Sequence, residues 1–349
     1  MKVVIDDKIP YIKEAIEKIA DEVVYAEGKS IDHNMVKDAD ALIVRTRTRC
    51  DKALLDHTNV QFIATATIGF DHIDTDYCRT AGIHWQNAPG CNAASVAQYI
   101  HSALILLEQK QRQSLEGKTL GIVGVGHVGS LVQKVGKELG MNCLLCDAPR
   151  QDTEHNTDFV SLEQISRESD IVTFHVPLIK EGKYKTRHMA DKDFLLAMKR
   201  DAVLINTARG EVSDNDALLW ALNNHIIGHA ILDVWENEPD INLTLLYKTI
   251  IGTPHIAGYS ADGKANATRL ALDALCTHFG VNAHYTIEPP SPDNNIITAP
   301  TKKDALLKIY NPEADSNALK RNPDLFEFLR GNYPLRRESL AYIFTPETD

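Results

Sequence analysis

The chain has 349 residues, 44% hydrophobic and 24% charged, with a formal net charge of −11 at pH 7. That length predicts two or three domains of ordinary globular composition rather than one core. The acidic balance argues against a nucleic-acid surface, which needs concentrated Lys and Arg. No apolar run approaches the roughly 20 residues that span a bilayer. Met1-Lys2-Val3-Val4-Ile5-Asp6 enters a strand directly with no signal peptide, so the cytoplasm is the expected location. Six cysteines lack the density of a secreted disulfide scaffold. Cys143 and Cys146 have redox-pair spacing, but their apolar run reads as a buried strand.

Residues 1 to about 90 alternate strand-like runs at 3–5, 22–25, 41–45, 62–65 and 83–86 with helical spacing at 12–20, 51–57 and 75–81. This is a small α/β unit with a parallel sheet. Asn87-Ala88-Pro89-Gly90 breaks the pattern, and an amphipathic stretch from 92 to 113 links it to a second unit. There, strands are expected at 119–123, 142–146, 170–174, 202–206, 228–233 and 249–252, with helical segments such as 217–223 between them. Six strands in βα alternation suit a doubly wound sheet. A helix over 261–279 follows, then the linker Glu288-Pro289-Pro290-Ser291-Pro292 and a polar, partly helical tail. The tail is too small to hold much core alone and reads as an oligomerisation or lid element.

Gly124-Val125-Gly126-His127-Val128-Gly129 follows an apolar strand and opens a helix, and Asp147 ends the next strand. That context turns a weak glycine pattern into a dinucleotide site. Gly124 permits the tight turn, Gly126 lets a diphosphate approach the backbone, and Gly129 lets the helix pack on the sheet. Asp147 suits the ribose hydroxyls of NAD and repels a 2′-phosphate; Arg150 is the opposing consideration.

Arg209 leaves the strand ending at Asn206, where a guanidinium fork can grip a carboxylate. His255, one of 14 histidines, follows Gly252-Thr253-Pro254 and precedes small residues, which fits an imidazole facing a ligand as general base. Glu238 before Pro239 would bond its far ring nitrogen, although spacing leaves Glu236 as a competitor. No metal site is expected.

These motifs, with His175-Val176-Pro177-Leu178 and Asp233-Val234-Trp235, resemble the D-isomer-specific 2-hydroxyacid dehydrogenase family in order and placement over residues 1 to about 280. The resemblance implies an α/β fold of two doubly wound parallel-sheet domains. A flavodoxin-like substrate domain would span 1–92 and 260–285, a Rossmann NAD domain 93–259, and a small C-terminal dimerisation region 286–349. It implies catalysis by Arg209, Glu238 and His255. NAD contacts would come from Gly124, Gly126, His127, Val128, Gly129, Asp147, His175, Pro177, Thr207, Ala208, Arg209, Asp233 and Gly258.

The same resemblance implies substrate contacts from Thr46, Thr67 and Tyr259, besides Arg209. The N–H groups of Thr67, Ile68 and Gly69 suit a carboxylate. Arg45 and Arg47, read as two apart on one strand face, suit a phosphate. A weaker reading has Arg336 or Arg337 of a second copy complete that pocket. The expected ligand is a small phosphorylated 2-hydroxy acid, and the expected assembly a homodimer without nucleic acid or membrane. Phosphoglycerate or glycerate is the rival substrate; an NAD-sensing binding protein of the same fold is the rival class. A formate dehydrogenase is disfavoured, because that branch pairs its histidine with glutamine.

Overall fold

Runs such as Ala-Leu-Ile-Val at 41–44 and Val-Leu-Ile-Asn at 203–206 are buried on both faces, the pattern of strands covered by helices on either side. The computed structural model describes residues 1–155 and 158–347 and divides into two units. Unit 1 comprises Met1–Asn92 with Ser260–Pro292, and unit 2 Ala93–Tyr259 with Asp293–Asp349.

In unit 1, strands β1 (Lys2–Asp6), β2 (Glu22–Ala26), β3 (Ala41–Val44), β4 (Phe62–Thr65) and β5 (His84–Gln86) form a parallel sheet in the order β2-β1-β3-β4-β5. That is the flavodoxin-like order. The helix Ala261–Phe279 lays Ala271, Leu272 and Leu275 against Val3, Ile5, Ile43 and Phe62 to close one face of the core. Helical spacing over 12–20 yields only Lys13–Ile16, followed by tighter turns from Ala15 to Lys18 and Ile16 to Ile19. The segment 51–57 contracts to Lys52–Leu55, capped by the Asp51 carboxylate.

Unit 2 carries β6 (Thr119–Val123), β7 (Asn142–Cys146), β8 (Ile171–Phe174), β9 (Val203–Asn206), β10 (His229–Leu232) and β11 (Ile251–Gly252), all parallel, in the order β11-β10-β9-β8-β6-β7. A lone parallel bridge from Leu145 to Phe159 stands where a Rossmann sheet has its third strand. The strand order reverses at β6, between β7 and β8, and ligands of such sheets bind outside the carboxyl ends there. Cys143 and Cys146 lie in β7 as free thiols, and burial pushes the Cys146 thiol up to about 11.

The tail belongs to unit 2. Its helices Lys302–Ile309, Pro312–Arg321 and Phe326–Gly331 send Leu306 and Tyr310 into one core cluster, and Leu319 and Phe326 into another with Leu222, Trp235 and Leu245. A two-stranded parallel ribbon, β12 (Ile296–Ala299) and β13 (Ile343–Pro346), completes it. No helix among the described residues is long and apolar enough to cross a membrane, and no group of three or more His, Cys, Asp or Glu among them could hold a metal ion. Because Phe326 is 1% exposed, Phe326→Ala is expected to destabilise unit 2 by about 3–5 kcal/mol. Urea unfolding measures this, and an unchanged midpoint would count against the tail's place in the core.

Candidate active site

In each unit the residues singled out from the sequence lie just beyond the carboxyl ends of the parallel strands. In unit 2, Gly124–Gly129 follow β6, Asp147 follows β7, His175 and Pro177 follow β8, Thr207-Ala208-Arg209 follow β9, Asp233 follows β10, and His255, Gly258 and Tyr259 follow β11. In unit 1, Arg45-Thr46-Arg47 follow β3 and Thr67-Ile68-Gly69 follow β4.

The glycine turn is sterically determined. Gly124 sits at φ +88°, and a Cβ there would stand 2.6 Å from the His175 carbonyl oxygen. A Cβ on Gly129 would lie 2.0 Å from the Gly124 carbonyl oxygen, so only glycine lets the helix His127–Glu138 start this close to β6. At Gly126 a Cβ would meet nothing within 4 Å, and Gly126 and His127 are exposed, leaving the helix start open to a ligand. The first-turn N–H groups of a helix have no internal acceptors and favour an anion.

Asp147 binds this turn to the end of β7: its carboxylate accepts from Val125 N (2.8 Å) and Arg150 N (3.2 Å). Arg150 is engaged locally, donating to the Val125 carbonyl at 2.6 Å and, through Nε and Nη2, to Glu154 at 2.7 and 2.8 Å. A guanidinium so occupied favours NAD over a 2′-phosphorylated cofactor. The Thr207 hydroxyl is buried without a hydrogen-bond partner, a vacancy of the kind a bound ligand fills. The open cradle at Gly126, the Asp147 carboxylate and this orphan hydroxyl fit NAD.

His175 hydrogen-bonds Thr173 at 3.0 Å, and burial pushes its imidazole down to about 3, so it is neutral at working pH. Pro177 is exposed next to it.

Arg209 is placed by its neighbours. Asn206 donates to the Arg209 carbonyl (2.9 Å) and accepts from Ala208 N (3.0 Å), closing the turn after β9. A Cβ on Gly210 would lie 1.9 Å from the Trp235 carbonyl oxygen, so glycine brings this turn against the 235–238 loop. The Arg209 side chain is half-buried, with Nη1 donating to the Ala208 carbonyl at 2.8 Å.

His255 stands at φ +57°, in the left-handed region. An L-residue pays roughly 1–2 kcal/mol there, and Asp233 holds it in place. The Asp233 carbonyl accepts from His255 N at 2.7 Å, while its carboxylate accepts from Thr253 Oγ (2.7 Å), Ile256 N (2.8 Å) and Ala257 N (2.9 Å). Asp233 is only 1% exposed, so its carboxylate serves the histidine loop first.

The His255 Nδ1 lies 2.8 Å from Glu238 Oε2, and Glu238 Oε1 accepts from Trp235 N at 2.9 Å. Burial pushes the Glu238 carboxyl up. The His255 hydrogen bond and charge, the Trp235 N–H and Arg330 outweigh it and hold Glu238 below the usual carboxylate range. An ionised Glu238 puts the proton on Nδ1 and leaves Nε2 to exchange one. Glu236, the alternative read from spacing, is engaged elsewhere, accepting from His188 Nε2 (2.7 Å) and Asn215 N (3.0 Å).

In unit 1, Thr67 Oγ lies 2.6 Å from Thr65 Oγ and 2.8 Å from the Gly69 carbonyl, and Asn87 holds the Ile68 carbonyl at 2.7 Å. The reading of Arg45 and Arg47 on one strand face needs correction. Strand β3 stops at Val44, a turn closes from Arg45 to Thr48, and Arg45 donates to the Lys8 carbonyl at 3.2 Å. Both faces of β3 are buried, and two guanidiniums could not continue along it without desolvation.

Arg336, one of the two tail arginines read as completing the pocket of a second copy, is engaged within its own chain. It is 6% exposed, stacks 4.2 Å from the Tyr310 ring, and donates to Ser95 Oγ and to the Ala257 carbonyl at 2.6 Å. Sequence reasoning also missed Arg330, whose Nε donates to the Tyr259 hydroxyl at 3.1 Å and whose Nη1 lies 3.8 Å from Glu238 Oε2. Nothing in the tail's spacing points to either role.

A nucleotide turn beside an arginine and a carboxylate–imidazole pair, all within one Rossmann-type unit, defines a nicotinamide-linked dehydrogenase of hydroxy acids. Residues 95–257 match the model of the D-isomer specific 2-hydroxyacid dehydrogenase NAD binding domain. The chain is 60% identical to the erythronate-4-phosphate dehydrogenase of Bacteroides thetaiotaomicron, over 98% of each chain. It is 41% identical to that of Porphyromonas gingivalis, over 98% of this chain and 95% of the relative. It also resembles the crystal structure of NAD⁺-bound 3-phosphoglycerate dehydrogenase from Entamoeba histolytica, with 26% identity, a TM-score of 0.67, and coverage of 80% of this chain and 95% of that one. The chain belongs to the D-isomer-specific 2-hydroxyacid dehydrogenase family and is an NAD-dependent enzyme.

The neutral His175 makes unit 2 acid-sensitive in a defined window. Below pH 6.5 the unfolded chain takes up a proton that the folded imidazole refuses until about pH 3. Stability present above pH 6.5 is therefore lost on acidification at roughly 1.4 kcal/mol per pH unit. Between pH 6.5 and 5, wild type is expected to lose roughly 2 kcal/mol more than His175→Gln in urea unfolding. Parallel curves would refute the neutral state of the half-buried His175.

Proposed function

We propose that the protein oxidises 4-phospho-D-erythronate to (R)-3-hydroxy-2-oxo-4-phosphooxybutanoate in the biosynthesis of pyridoxal 5′-phosphate (vitamin B6). The observation that carries this is the His255–Glu238 pair at 2.8 Å in a chain 60% identical to a relative bearing that activity's name. NAD, when bound, would supply the acceptor for the hydride of C2. His255 Nε2 takes the C2 hydroxyl proton, and Glu238 stays ionised to stabilise the resulting imidazolium. Arg209 turns its guanidinium to the substrate carboxylate and the C2 oxygen. Asp233 and Gly258 serve the nicotinamide end, with His175 and Pro177 as its wall, while Thr207 and Ala208 add contacts after β9.

Substrate selection rests on residues outside this group. Thr46, Thr67 and Tyr259 bind substrate, and the N–H groups of Thr67, Ile68 and Gly69 suit an anionic oxygen. Arg45 and Arg47, in the turn after β3, bind the phosphate. A homodimer is part of this reading, supported by apolar side chains left exposed on the tail: Phe328, Leu335, Leu340 and Ile343. So is a cytoplasmic location.

A turnover panel tests the substrate. 4-Phospho-D-erythronate is expected to give the highest kcat/KM, ahead of phosphoglycerate and glycerate, and His255→Gln should lower it about 10²–10⁴-fold. A higher value for either rival acid would reassign the substrate, and no NAD reduction with any 2-hydroxy acid would favour an NAD-sensing binding protein. Joint replacement of Arg45 and Arg47 by Ala is expected to raise KM for the phosphorylated acid at least tenfold while sparing kcat. An unchanged KM would remove them from the phosphate site.

A further inference from the structure

The tail places a guanidinium against the acid–base pair that the reaction above does not use. Arg330 lies on the helix Phe326–Gly331, which the buried Phe326 anchors in the core of unit 2. Its Nε donates to the Tyr259 hydroxyl at 3.1 Å, and its guanidinium carbon lies 6.0 Å from the Tyr259 ring centroid. Its Nη1 is 3.8 Å from Glu238 Oε2, the same oxygen that meets His255 Nδ1. One cation therefore reaches both a proposed substrate contact and the carboxylate that orients the base.

We propose that Arg330 is a positioning residue of this dehydrogenase: it fixes the Tyr259 hydroxyl and shares Glu238 with His255. The proposal rests on the functional reading of Glu238, His255 and Tyr259 given above. The backbone of the loop that bears His255 meets the Asp233 carboxylate and the Arg336 guanidinium at residues 256 and 257. The 235–238 loop contributes Glu238 and the Trp235 N–H; the loop after β11 contributes His255 and Tyr259; the tail helix contributes Arg330 and Glu327, whose carboxylate is 3.8 Å from Arg330 Nη1.

The charge has a definite effect on the chemistry. Glu238 alone would hold a protonated His255 tightly and retard return of the proton. A second cation on the same carboxylate weakens that hold, and a fixed positive charge nearby disfavours a positive imidazole. Removing Arg330 should therefore let His255 keep its proton to higher pH. The hydrogen bond to Tyr259 acts separately, through the geometry of the bound substrate.

The two contributions separate by substitution. Arg330→Gln is expected to move the acidic limb of the kcat/KM profile up by about 0.5–1 pH unit, and to lower kcat/KM at neutral pH about 10–100-fold. Arg330→Lys should restore the limb but only part of the rate, since an ammonium lacks the fork that reaches both partners. Tyr259→Phe, which keeps the cation, should lose rate without moving the limb. A wild-type limb and rate in Arg330→Gln would overturn the proposal, as would a shifted limb in Tyr259→Phe alone.

An NMR titration of the His255 imidazole in the cofactor-free protein supplies an arm that needs no turnover. The same upward move in Arg330→Gln supports the proposal whichever acid is the substrate, and its absence refutes it. Failure of wild type to turn over 4-phospho-D-erythronate, with the NMR shift present, would discard the substrate and keep Arg330. If Arg330→Gln does not fold, Arg330→Met and Glu327→Gln carry the test. Arg330→Met must reproduce the shift; Glu327→Gln, which frees Arg330 of a competing carboxylate, must move the titration the opposite way.

Discussion

The buried carboxylate of Asp233 is the constraint on which the candidate site depends. Three donors from the loop after β11 converge on it, and its own carbonyl takes the His255 N–H. Without this clamp a histidine would have little reason to remain at φ +57°. The loop is fixed from its other side by Arg336, which donates to the carbonyls of Ile256 and Ala257 while Asp233 accepts from the N–H groups of the same residues. The His255 imidazole is thus borne on a peptide segment held at both its donors and its acceptors. This is the rigidity that a proton-transfer geometry requires.

Electrostatics then refine what the backbone fixes. Burial pushes the Glu238 carboxyl up, and its partners reverse that shift. His175 shows the opposite result: burial acts without a countercharge and the ring is neutral. The two groups lie in the same unit: Glu238 has a histidine, an N–H group and an arginine to counter its burial and is held ionised, whereas His175 has no such countercharge and is held neutral.

The nucleotide turn and the parallel strands were legible because their signals are local. Close approach demands glycine at Gly124 and Gly129, and strands covered on both faces demand unbroken apolar runs. The choice between Glu236 and Glu238 was not legible. It depends on His188 and Asn215, 48 and 21 residues from Glu236, which only the fold delivers. Arg45 and Arg47 were placed on a strand because alternation continues through them, whereas the sheet partners end at Val44. Arg330 gave no signal and Arg336 was read for a different contact, because polar residues in a tail resemble any solvated face. Their meaning comes from Tyr259, Glu238 and the carbonyls they meet. The clamp by Asp233 was hidden for a related reason, since two of its three donors are backbone N–H groups that no side-chain pattern reveals.

The way the chain shares its segments between units bears on how it is made. The first 92 residues leave the ribosome without the helix Ala261–Phe279, whose Leu272 and Leu275 cover the sheet of β1 to β5. The second sheet likewise awaits Leu319 and Phe326. Vectorial synthesis therefore presents two sheets, each with an apolar face waiting for a later segment, and neither can be sealed before most of the polypeptide has emerged. During translation the nascent chain is correspondingly dependent on whatever shields exposed apolar surface in the cell.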